Sequence, residues 1–161
     1  MKSIILLAIV CVAVQANISN SDVNEMVKNL NDSIKQLEIM KQHLEGSMQV
    51  TINYLKDHAQ EDNGEDGLKC FRELAKPFQD TVNLRIDESL GGYIRSSRSL
   101  INDLKSGMFD EGELEHTKHM LSEEGSYFKQ MQNSVEYMLK EISQDTLTFD
   151  KTVHDKCCKH D

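Results

Sequence analysis

The residues best suited to chemistry in this chain are its sulfurs. Of four cysteines, Cys11 sits in an apolar leader, Cys70 stands alone, and Cys157 and Cys158 are adjacent near the C-terminus. Thiols that meet in an oxidising compartment form disulfides. A bond from Cys70 to Cys157 or Cys158 is therefore expected, and residue type alone does not choose between the neighbours. Closing so long a loop contributes a model-dependent ~4–5 kcal/mol. Three cysteines cannot all pair within one chain, so the remaining thiol stays free, joins another protein, or makes a disulfide-linked homodimer. His154 and His160 flank the cysteine pair. With Cys70 this tail has the residue types of a zinc site, but structural zinc favours cysteines separated by a few residues. Adjacent cysteines fit the disulfide better, and no metal or other cofactor is expected.

Other constellations carry less. Glu113 and His116 have the three-residue spacing used in di-iron bundles, but such sites need matching ligands from other helices and no second motif of the kind appears. His116 and His119 read as a solvated helix face. The chain has no Gly-rich phosphate loop, nucleophile elbow or His-Glu-x-x-His motif, so no catalytic residue is assigned and the protein reads as non-enzymatic. Two glycosylation sequons are present, at Asn17 (Asn17-Ile18-Ser19) and Asn31 (Asn31-Asp32-Ser33).

The compartment follows from the N-terminus. Lys2, the apolar run Ile4 to Val14, and the small residues of Val14-Gln15-Ala16 have the layout of a secretory signal peptide over residues 1–16. The run is shorter than the roughly 20 residues a membrane span requires. The remainder, 17–161, is read as a single extracellular domain without a transmembrane segment. The formal charge of the chain is −9, and loss of Lys2 makes it one unit more acidic. Such a charge repels nucleic acid, whose binding depends on neutralising phosphates.

The elements that must position the sulfurs are helices. With one Pro, no Trp and five Phe, the chain lacks the turns and aromatic strand positions of a β fold. Apolar residues instead recur at steps of three and four. Val23, Met26, Leu30, Ile34, Leu37, Leu44, Ile52 and Leu55 mark a first helix over about 21–58, and the polar run 61–67, with two glycines, marks a turn. Phe71, Leu74, Phe78, Val82, Ile86, Leu90, Ile94, Ile101 and Leu104 mark a second over about 68–105, with Pro77 expected to kink or restart it. Leu114, Leu121, Phe128, Met131, Val135, Met138 and Ile142 mark a third over about 110–150, followed by a cysteine-bearing tail, 151–161.

Long helices joined by tight loops lie antiparallel. The fold expected is all-α, an elongated antiparallel three-helix bundle with coiled-coil character. The alternative is a four-helix bundle with a break at Gly91-Gly92. Gly91, Gly92 and Gly125 are hinge candidates, because each pair member lies at a similar distance from the turn near Met108 and the two positions would sit level in a hairpin. Antiparallel order brings Cys70 to the same end of the bundle as Cys157 and Cys158.

A secreted helical bundle without catalytic machinery acts by binding. The leading expectation is an extracellular protein partner. The alternative is a carrier of lipid or another hydrophobic small molecule between amphipathic helices; methionines such as Met40, Met48 and Met138 are read first as core filling, and under this alternative as lining a pocket.

Overall fold

The computed structural model describes residues 20–122 and 125–158. Residues 1–16, read above as a signal peptide, and Asn17 and His160 lie outside the described residues. Among the described residues every regular element is helical. The first element, Asn20–Ile86, contains one residue with non-helical dihedrals, Gly64 at φ 59°, ψ −136°. Gly64 divides it into two limbs, α1 (20–63) and α2 (65–86). A π-helical turn, Asp87–Gly91, joins α2 to α3, Gly92–Ser106. Then follow α4, Glu111–Met120, and α5, Ser126–Cys157.

The limbs double back on each other at Gly64. A Cβ placed on Gly67 would lie 2.0 Å from the backbone oxygen of Ala59, two residues that a continuous helix would hold about 12 Å apart. Further along the hairpin, Lys41 lies 3.9 Å from Asp87, and Glu38 pairs with Arg98. The polar run 61–67 therefore contributes a reversal at one residue instead of the seven-residue turn expected. Gly64 supplies a positive φ that other residues adopt only at a cost. Gly67 supplies the missing side chain that lets the limbs touch.

The third rod runs antiparallel to α2 and α3. Its contacts with them, Cys70–Cys157, Arg85–Asp145, Ser89–Ser134 and Ser97–Tyr127, have sequence separations of 87, 60, 45 and 30. The rod is parallel to α1. Asp22–Lys118, a 2.6 Å ion pair, and His58–His154, with ring centroids 4.7 Å apart, share one sequence offset of 96 residues. The molecule is thus an all-α three-helix bundle. Its core is a continuous seam from Met26 and Leu121 at one end, through Leu30, Leu90 and Val135, to Leu55, Val82, Phe149 and Val153 at the other.

Several local expectations are corrected. Pro77 does not restart its helix, whose only non-helical residue is Gly64. Pro77 and Glu73, whose carbonyl loses its helical partner, are both exposed, so water can take the lost hydrogen bond. The Gly91-Gly92 pair is not a break. It is absorbed by the π turn, in which the Gly92 N–H donates to the Asp87 carbonyl, and helix resumes directly. The third rod is interrupted between Met120 and Ser126. Gly125 caps the restart, where a Cβ would fall 2.2 Å from the Met120 oxygen and 2.4 Å from that of His119. Gly125 is not level with Gly91-Gly92, because its neighbour Tyr127 meets Ser97; the interruption and the loop after Ser106 shift the count. Finally, α5 continues through the tail to Cys157, since Phe149, Val153 and Cys157 extend the buried stripe at helical spacing.

The glycines give a stability test. Gly67→Ala forces a methyl into the Ala59 backbone and should destabilise the protein by at least about 2 kcal/mol. Gly92→Ala meets nothing within 4 Å and has helical dihedrals, so it should stabilise by up to about 1 kcal/mol. Denaturant unfolding followed by circular dichroism reads both. Equal effects would show that the limbs do not meet at Ala59.

Candidate functional site

The end of the bundle at Gly64 concentrates the chemistry-bearing side chains. α2 and α5 approach there because Phe71, Phe78 and Phe149 pack together. The Phe78 and Phe149 rings are stacked 4.2 Å apart, and Phe71 lies 5.9 Å from Phe149. Above this layer Cys70 and Cys157 are bonded, with their Cα atoms 5.5 Å apart. That separation is within the usual range for a disulfide. Of the two neighbours, Cys157 lies on the buried stripe that faces α2. Successive helical residues differ by about 100° in direction, so Cys158 turns away from α2 and remains a free, half-buried thiol.

Cys158 turns toward α1. Its sulfur and one nitrogen from each of His58 and His154 all lie within 4.8 Å of one another. Asp62 closes the group, with its carboxylate 3.7 Å from His58 Nδ1 and accepting a hydrogen bond from the Cys158 thiol. Burial, and then this carboxylate, push the thiol above its ordinary range, which keeps it protonated and slow as a nucleophile at neutral pH. Asp150 stands one turn below His154, its Oδ1 3.5 Å from Nε2. Two imidazoles, one thiol and one carboxylate thus converge from two helices. This is a donor set with both nitrogen and sulfur ligands.

The composition of the C-terminal tail points to His154 and Cys158 but not to their partners. His58 and Asp62 belong to α1, and the only trace of them in the sequence is a matched spacing: His58 and Asp62 are four apart, as are His154 and Cys158. Glu113 is not a ligand candidate. It accepts from the Asp110 backbone N–H while Asp110 accepts from that of Glu113, a capping box that starts α4. His116 and His119 are exposed. Asn31 is exposed on α1, where its amide donates to the Val27 carbonyl at 2.8 Å. Lys41, odd for a residue beside an apolar stripe, reaches Glu45 and Asp87, each at 3.9 Å.

A second feature lies halfway along α1. Between Leu37 and Ile52, over residues 38–51, no residue of α1 is buried. Here Met40, Leu44 and Met48 are half covered, and Ile39, Val50 and Tyr54 are 46%, 69% and 65% exposed. A shallow hollow of about 360 Å³ runs between Gln36, Ile39, Met40, His43, Leu44 and Ser47. Compared with protein-family models, curated proteins and solved structures, the chain has no match.

Two outcomes check the sulfur assignment. Alkylation of the native protein followed by peptide mapping should label Cys158 alone and recover Cys70 and Cys157 as one linked peptide. Reduction should then lower stability by up to about 4–5 kcal/mol, the chain-entropy value for a loop of this size.

Proposed function

We propose that this is a secreted, non-enzymatic bundle that acts by binding an extracellular protein, with the middle of α1 as its contact face. The observation that supports this reading is the row of exposed apolar side chains Ile39, Val50 and Tyr54 on α1. Contiguous apolar surface on a soluble chain marks an interaction site. Ile39, His43, Val50 and Tyr54 succeed one another at steps near one and two helical turns, the layout that receives the apolar face of a partner helix. The acidic charge of the chain, −9 over its full length, favours a partner with a basic surface around that face.

The test is capture of a partner by the wild-type chain and by an Ile39→Glu, Val50→Glu double variant. Both positions are exposed, so the variant should melt like the wild type while losing the captured protein. Equal recovery of the same partner by both chains excludes this face. Non-reducing electrophoresis of the same material decides whether Cys158 also links two copies. A band at twice the monomer mass marks the homodimer, and monomer alone excludes it.

One observation favours a second reading, a carrier of a hydrophobic small molecule. At the end opposite the disulfide, Val23 and Val27 of α1, Leu104 of α3, Phe109 and Leu114 line a hollow of about 470 Å³. That volume is within the range of ligand sites, although Asn20, Asn24 and Lys105 also line it. Under this reading, organic extraction of the purified protein yields lipid, and Phe109→Ala reduces uptake of a fluorescent fatty acid. A clean extract with no uptake leaves only the protein-binding reading.

A further inference from the structure

We propose that the disulfide end of the bundle binds one zinc-class divalent ion through His58, His154 and Cys158, with Asp62 completing the set. The first argument is convergence. The ligand atoms of His58, His154 and Cys158 come from positions nearly a hundred residues apart, yet all lie within 4.8 Å of one another. The second is register. His58 and Asp62 stand one turn apart on α1, and His154 and Cys158 one turn apart on α5. Residues four apart share a helix face, and the packing of the His58 ring on the His154 ring, centroids 4.7 Å apart, sets the two pairs opposite each other. The third is donor chemistry. Imidazole nitrogen, thiolate sulfur and carboxylate oxygen are the three ligand types of zinc, which prefers four of them in a tetrahedron.

Metal–ligand distances of about 2.0–2.3 Å place tetrahedral ligand atoms some 3.3–3.8 Å apart. The His58, His154 and Cys158 ligand atoms contract by about an ångström from their 4.8 Å limit to reach that geometry, and the two partly exposed imidazoles have room to move. Asp150 at 3.5 Å from His154 Nε2 is the kind of carboxylate partner that orients a ligating imidazole and leaves its other nitrogen for the ion. On binding, the Cys158 S–H bond breaks, the sulfur keeps the electron pair and donates it to the metal, and the proton passes to solvent. Asp62, relieved of that thiol hydrogen bond, turns its carboxylate to the ion. The ion then ties α1 to α5 at the end where the disulfide already ties α2 to α5. This inference does not depend on the α1 contact face, and its test involves no partner.

The test uses the full chain, purified without a histidine tag, with its disulfide intact and any metal removed by chelator. Titration with zinc should saturate at one ion per chain, and cobalt(II) should give the visible spectrum of a tetrahedral site with thiolate charge transfer. Zinc should slow alkylation of Cys158, and chelator should restore it. His58→Ala and His154→Ala should each weaken binding at least tenfold with helicity unchanged, and Cys158→Ser should abolish the charge-transfer band. A His116→Ala, His119→Ala variant should bind as the wild type does. Absence of zinc binding at micromolar concentration overturns the proposal. So does binding that survives loss of both His58 and His154, or Cys158 alkylation that zinc leaves unchanged.

Discussion

The approach of Gly67 to the backbone of Ala59 sets the register on which the rest of this molecule depends. A reversal at one residue leaves no slack between α1 and α2. Once Gly64 turns the chain, each apolar residue of the second limb faces a defined residue of the first, and the stripes either match or fail together. They match: Leu30, Ile34, Leu37 and Leu55 of the first limb share one core cluster with Phe78, Val82, Ile86 and Leu90 of the second. A longer loop would let the limbs slide by a turn at little cost, because loop entropy changes slowly with length. The short reversal instead fixes which residues can line the third rod, and so places Cys70 beside Cys157 and His58 beside His154.

The two ends of the bundle are built differently. At the Gly64 end all three rods are tied, α1 to α2 by the turn, α2 to α5 by the disulfide, and α1 to α5 by the packed histidines. A stacked aromatic layer lies just beneath. At the other end, α4 is a short helix separated from α5 by a turn. It meets α1 through Lys118 and Asp22, beside which Leu121 lies next to Met26. Exposed ion pairs contribute ~0–1 kcal/mol, so this end rests on a few apolar contacts. Opening free energy should fall from the disulfide end toward α4, since local stability follows the density of buried contacts. The larger hollow lies at the less constrained end.

Much of the architecture was legible in the sequence because burial repeats with the helical period. Leu30, Leu55, Val82, Ile86 and Leu90 stand on the stripes read from spacing, and all are fully buried. Antiparallel order then brought Cys70 to the late cysteines without any structural information. What was not legible depends on contacts distant in sequence. Residues 61–67 are compatible with many turns, and only the meeting of Gly67 with Ala59 selects the one-residue reversal. Pro77 sits inside a helix against the local rule, and the Glu73 carbonyl that loses its partner there is open to water. The tail reads as polar because, among its described residues, Val153 and Cys157 alone are buried, yet those two extend the stripe that keeps α5 helical. His58 and Asp62 could not be joined to His154 and Cys158, because that step requires the parallel register of α1 and α5, which no local pattern encodes.

The adjacent cysteines illustrate how helical geometry divides labour between residues of one type. Two neighbours on a helix differ by about 100° in direction, so on a rod packed against two others they address different partners. Cys157 faces α2 and is consumed by Cys70. Cys158 faces α1 and meets Asp62 and the two histidines. Had the tail been irregular, either sulfur could have reached Cys70, and the pair would exchange freely. Because α5 stays helical to Cys157, exchange would require unwinding the last turn and exposing Val153, which is fully buried. The same packing that closes the disulfide therefore holds the second sulfur apart from it, reduced and within reach of two imidazoles.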